Sequence, residues 1–260
     1  MSKLPIVTVV FWIMKIIATT LGESGADMVS QTLNLGYLSS TFLFLGLFVI
    51  SLVAQLRAKR YHPGIFWAVI LTTSTAGTTI SDFMNRTAGL GYLGGALVLT
   101  AMLIVVFIVW RVSGQTMNVE RINTFRGEVL YWVATLVSNT LGTSTGDLLA
   151  HNTGIGFVAS TVLLTAVLIL VVAAHYLTPI SGTALFWVAY VLTRPFGANA
   201  GNTLTKTHDE GGVGLGTYGA SALLFGLLVA MVIYQSVTLR RQTREISDES
   251  GQVTAPSGSV

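Results

Sequence analysis

Cysteine is absent from the 260 residues, which excludes a disulfide, a thiolate metal site and a cysteine nucleophile. Charge is scarce too. Asp, Glu, Lys and Arg make up 10% of the chain, where a soluble domain carries roughly 25%. Most of the surface therefore does not face water. The formal charge of +3 does not point to nucleic acid, because the basic residues sit beside apolar runs. No Walker sequence, no HExxH and no nucleotide fingerprint occurs, so no cofactor is expected. Instead, 52% of the chain is hydrophobic, and stretches 41–54, 97–110, 161–174 and 222–234 are nearly free of charge. A bilayer-spanning helix needs about 20 mostly apolar residues. A large soluble core would need helices with polar faces to cover it, and these stretches have none.

Within this apolar background one unit occurs four times. The copies start at Phe11-Trp12, Phe66-Trp67, Tyr131-Trp132 and Phe186-Trp187. Ten residues after each Trp stands a glycine: Gly22, Gly77, Gly142 and Gly197. Five residues further on come Asp27, Asp82, Asp147 and, in the last copy, Asn202. Three copies then read Gly36-Tyr37, Gly91-Tyr92 and Gly156-Phe157. The fourth has an insertion at 206–212 and resumes at Gly216-Thr217-Tyr218. Such phasing marks internal duplication. Because the first segment belongs to the repeat, it does not read as a cleavable signal peptide.

Each repeat reads as two helices, the first ending in the polar Gly-to-Asp region, the second purely apolar. The expected spans are 6–32, 37–58, 65–86, 92–112, 127–150, 157–177, 184–206 and 217–238. The fold class is thus all-α integral membrane, with eight transmembrane helices as four two-helix pseudo-repeats. Residues 1–115 form one membrane half and 116–239 the other, joined by a polar linker at 111–126. Residues 240–260, rich in Ser, Gln, Glu and Gly, read as a disordered cytoplasmic tail. Lys3, Arg57, Lys59, Arg60, Arg111, Arg121, Arg126, Arg240, Arg241 and Arg244 lie at one side. Only Arg86 and Lys206 lie at the other. This bias places both termini in the cytoplasm. Two spans per repeat keep the repeats parallel. The Trp residues then mark the cytoplasmic boundary as an aromatic belt. At about 1.5 Å per residue, the glycines lie roughly 15 Å deep and the aspartates roughly 22 Å.

Helical spacing gathers the polar residues on one face. Lys15, Thr19, Glu23 and Asp27 are four apart. The matching series are Ile70, Ser74, Thr78, Asp82; Thr135, Asn139, Thr143, Asp147; and Tyr190, Arg194, Ala198, Asn202. Polar groups facing hydrocarbon are costly, so the first helices of the repeats turn inward around a shared axis. The candidate ion-binding residues are Glu23, Asp27, Asp82, Asp147, Asn202, Arg194, Asn139 and Thr143. Glu23, Asp27, Asp82 and Asp147 are the candidate metal ligands. Four close carboxylates cannot all stay ionised without a counter-charge. Arg194 supplies one, and Pro195 beside it interrupts the local helix ladder. The structural alternative is that the aspartates cap helix ends or hydrogen-bond across tight packing, with Arg194 as ion-pair partner. Lys15, near the boundary, is expected to snorkel. His62, His151, His175 and His208 show no ligand spacing. His208-Asp209-Glu210, in the insertion, reads as a solvated loop, with an outer gate or a weak metal contact as alternatives.

The block Phe11-Trp12, Thr19-Thr20, Gly22-Glu23, Ala26-Asp27, repeated four times and followed by Leu35-Gly36-Tyr37, resembles a bacterial family of multi-pass membrane proteins. That family is defined by a repeat of unknown function. The resemblance covers roughly residues 5–238. It implies an inner-membrane location and the repeat architecture, and names no substrate. The fourth copy departs from the pattern at Arg194-Pro195, at Asn202 and in the insertion.

The reading with most support is transport of a small cation, a divalent metal among the candidates, through a carboxylate-lined central cavity in exchange for protons. Oxygen ligands suit hard cations. The lipid bilayer, the cation and protons are the expected partners. An enzymatic role is not expected, although a membrane-embedded enzyme on a lipid-like substrate stays open, as do a scaffold and a cation channel. Against the channel, the connections are too short for a re-entrant pore helix.

Overall fold

The computed structural model describes residues 3–253, with side chains described as far as residue 241. Local sequence signals set the helix starts. The Thr8 hydroxyl accepts from the Phe11 N–H at 3.3 Å and opens α1, Val9–Asp27. After α2, Tyr37–Arg57, comes α3, Pro63–Asp82, with proline in its first turn. Beyond α4, Gly91–Val112, the Thr124 hydroxyl accepts from the Gly127 N–H at 3.0 Å and opens α5, Phe125–Asp147. Then follow α6, Gly156–Leu177, α7, Gly182–Thr205, and α8, Gly216–Val253. Among the described residues there is no strand. The turn into α2 needs Gly36, whose φ of 76° favours a residue without Cβ.

Helices α1, α3 and α5 each end on the repeat aspartate and continue through one π turn: Met28–Thr32, Phe83–Thr87 and Leu148–Asn152. The Leu33 N–H donates to Met28 O and the Ala88 N–H to Phe83 O, both at 2.8 Å. In the fourth copy α7 runs through Asn202 without such a turn. It also stays continuous through Pro195, so the expected interruption is confined to one missing donor.

The four odd helices form a closed ring. α1 packs on α3, α3 on α5, α5 on α7, and α7 back on α1. Each even helix lies against the odd helix of the following repeat: α2 on α3, α4 on α5, α6 on α7, and α8 on α1. Every repeat thus braces its neighbour, and the last helix fastens the first.

Among the described residues, five helices are long and apolar enough to cross a membrane: Val9–Thr32, Tyr37–Arg57, Gly91–Val112, Gly156–Leu177 and Gly216–Arg241. The even helices have mean hydropathy from 2.1 to 2.7, and at most 28% of each apolar window is buried. For α1 the values are 1.3 and 61%. Low hydropathy goes with the interior position, because the polar side chains of the ring helices face one another.

Two expectations change. Trp67, Trp132 and Trp187 are buried rather than set in a lipid-facing belt. The even helices cover them, and they pack with Phe11, Phe66, Tyr131 and Phe186 into an aromatic plug at the Trp end of the ring. The Trp67 indole N–H donates to Gln235 Oε1 at 3.0 Å and that of Trp187 to Met117 O at 3.0 Å. The expected tail at 240–260 differs too. The backbone of 240–253 continues α8, since extending a formed helix is far easier than nucleating one. Residues 254–260 lie outside the described residues.

Candidate functional site

The four inward series stack as four layers of four residues along the ring axis. All sixteen side chains are buried. The layers are held together by glycine. A Cβ on Gly22 would run into the Ser74 side chain, and one on Gly142 into Arg194. On Gly77 it would stand 2.9 Å from Asn139 Cβ, and on Gly197 2.7 Å from Thr19 Cβ. In each case the residue met lies three positions before the next helix's own glycine. The contact therefore closes cyclically, and backbones approach as small-residue interfaces allow.

The layer nearest the Trp end holds Lys15, Ile70, Thr135 and Tyr190. The Tyr190 hydroxyl lies 3.2 Å from Tyr131 OH and 3.2 Å from Thr135 Oγ1. Lys15 does not snorkel. It is fully buried, its Nζ lies 4.1 Å over the Tyr190 ring, and no hydrogen-bond partner reaches it. The aromatic plug closes the end toward which its stem would have to extend.

The next two layers share one ion pair. Arg194 of α7 reaches across the ring to α1 and α3. Its guanidinium donates to Glu23 Oε2 at 3.2 Å, to Ser74 O at 3.3 Å, to Thr19 O at 3.4 Å and to Thr78 Oγ1. Glu23 is fully partnered: Oε2 also accepts from Thr78 Oγ1 at 3.1 Å, and Oε1 from Asn202 Nδ2 at 3.1 Å. The Asn139 amide donates to Thr73 Oγ1 at 3.1 Å, while Asn139 Oδ1 and Thr143 Oγ1 have no partner.

The fourth layer holds Asp27, Asp82, Asp147 and Asn202. Arg86, one turn after Asp82, brings its Nε to 3.0 Å from Asp82 Oδ1 and a terminal nitrogen to 3.5 Å from Asp147 Oδ2. Neither contact has hydrogen-bond geometry. Both Asp147 oxygens lack a hydrogen bond although only 1% of the side chain is exposed. Asp27 accepts from Gln31 Nε2 at 2.6 Å.

The eight expected site residues thus share one axis, but the four carboxylates are not one cluster. Glu23 pairs with Arg194, Asp82 and Asp147 share Arg86, and Asp27 takes the Gln31 amide. Among the described residues no three His, Cys, Asp or Glu side chains are grouped to hold a metal ion. Two clefts lie off the axis. One of about 560 Å³ is bounded by Leu21, Phe44, Leu71 and Phe225. The other, of about 720 Å³, lies near Trp12, Glu120, His175 and Phe186. Neither is lined by any of the four acids. His208, Asp209 and Glu210 form an exposed 3₁₀ turn. Sequence reasoning placed Arg86 at the boundary and gave it no role; the i, i+4 spacing from Asp82 was the available signal. Asn199, buried with both amide atoms unpartnered, was also passed over.

Four stretches, residues 10–61, 65–116, 130–181 and 185–241, match the family described as Repeat of Unknown Function (DUF347). The chain belongs to this family. The matched segments coincide with the four helix pairs, so the DUF347 unit is one inner helix plus one outer helix. No curated protein and no solved structure matches the chain.

Proposed function

We propose that this chain is a transporter of a small cation in the bacterial inner membrane, running in exchange for protons along the axis of the odd-helix ring. One observation carries the proposal. Three of the four buried carboxylates meet two arginines on that axis, Asp27 meets Gln31, and the Asp147 oxygens accept no hydrogen bond. Buried polar groups are almost always hydrogen-bonded, and Asp147 has only the Arg86 contact at 3.5 Å, without hydrogen-bond geometry, to offset the cost of its burial. A mobile cation or a proton supplies what is lacking. The sealed surroundings suit a carrier with its site closed to both sides better than an open pore. Since the arginines draw the acids apart, monovalent cations belong in the screen beside magnesium and manganese.

In this proposal all eight helices cross the bilayer with parallel repeats and both termini in the cytoplasm. The support is the one-sided placement of basic residues and the inner position of α3, α5 and α7, which accounts for their low hydropathy. The cysteine-free sequence makes a direct topology test available. Single cysteines in 111–126 and in 206–212 should react with impermeant reagents from opposite faces.

The functional test is a flux screen in proteoliposomes, with Asp27→Asn, Asp82→Asn and Asp147→Asn beside the parent protein. Flux in the parent and its loss in at least one variant are expected. No cation flux, or three variants that transport like the parent, ends the proposal. Uptake should weaken from about pH 8 to pH 5, because protonation removes the charge that attracts the cation.

A further inference from the structure

One turn beyond the aspartate layer, the four copies carry Gln31, Arg86, His151 and Lys206. Each is four residues after its copy's Asp or Asn, so the acids lie beneath a collar of nitrogen-bearing side chains. Arg86 is the member of the collar that reaches down. It has a carboxylate oxygen at 3.0 Å on its own helix and another at 3.5 Å on α5. It also donates to Tyr37 OH at 3.2 Å, and its guanidinium carbon lies 5.7 Å from both the Tyr37 and the Tyr92 ring centres. His151 stacks on the other partner ring, Tyr92, at 5.4 Å.

We propose that the space between Asp82 and Asp147 is a cation subsite and that Arg86 is its tethered occupant, a gate that leaves when a small cation enters. Three features support this. The Arg86 side chain is 36% exposed, while its two carboxylate partners are 2% and 1% exposed, so the arginine has a way out and the acids do not. Asp147 is held by no hydrogen bond and is free to take a different cation. The two tyrosine rings offer the guanidinium a second resting place by cation–π attraction, so it need not enter bulk water when displaced. The purpose of the gate rests on the transport reading; its test does not.

The experiment places a reporter cysteine at Thr143, one turn below Asp147, in the otherwise cysteine-free full-length protein in proteoliposomes. Its reaction rate with a cationic methanethiosulfonate reagent is measured from the Asp-end face. Arg86→Gln copies what repeat 1 already has at Gln31. It should raise the rate about tenfold, as a closed-to-open shift of that size would. Tyr37→Phe keeps the charge and removes one hydrogen bond, and should raise the rate about threefold. Should Arg86→Gln yield no folded protein, Tyr37→Phe alone decides. Rates equal to that of the parent reporter in every folded variant overturn the gate. Faster labelling without any cation flux leaves the gate standing and removes the transport reading.

Discussion

The axis carries two arginine–carboxylate sets made of the same groups in opposite surroundings. Around Arg194 every exit is closed. The arginine is fully buried, both Glu23 oxygens receive donors, and Thr78, Ser74 and Thr19 complete the shell. Around Arg86 the arginine is partly exposed, and Asp147 takes no hydrogen bond. The first set joins α7 to α1 and α3 and closes the ring. The second sits in the mouth, where rearrangement breaks little. The same chemistry thus acts as a clasp deep in the ring and as a movable latch at the aspartate layer, and the surroundings decide which.

The sharpest way to break this comparison is to remove one half of each pair. Arg194→Gln leaves Glu23 buried without its counter-charge and should cost about 3–5 kcal/mol. Thermal unfolding in detergent reads the loss. Adding Glu23→Gln to that variant should recover much of it, since neutral side chains leave no bare charge. Arg86→Gln should cost clearly less, because Asp82 and Asp147 can be neutralised by protons that enter through the opening the partly exposed arginine leaves. Equal losses from the two arginines would mean that clasp and latch do not differ. Between these extremes lies the seat of the ring itself. In Gly77→Ala the new methyl meets the Asn139 backbone and side chain at 2.9 Å, so overpacking of about 1–3 kcal/mol is expected.

The layered axis could be read from the sequence because two independent regularities agree. Lys15, Thr19, Glu23 and Asp27 share a helix face, and the same offsets recur in the other three copies. The pairing of helices could not be read. The even helices are uniformly apolar, and nothing in them says that α2 braces α3 rather than α1. The roles of Trp67, Trp132 and Trp187 were misread for a related reason: an indole at a helix end fits a lipid boundary and a covered plug equally well. Lys15 was expected to reach water because its distance to the helix end is short; the ring of Phe11, Phe66, Tyr131 and Phe186 that blocks it is a tertiary feature. In the sequence Arg86 reads as a topology marker, and only the fold sets it against Asp147, a residue 61 positions away in the chain.

The smallest expected effect is on the outer helices, and it bears on what else covers them. A methyl added at Gly46 of α2 meets nothing within 4 Å, in contrast to the same change at Gly77. Gly46→Ala should leave stability unchanged or raise it by up to about 1 kcal/mol through helix propensity. Thermal unfolding again reads it. A loss above about 1 kcal/mol would mean that a partner packs against that face of α2 in the folded protein. The partner would have to be a second copy or another chain, because lipid tails adapt to one added methyl group. The outer helices would then differ from the ring in what they pack against, not in how tightly they pack.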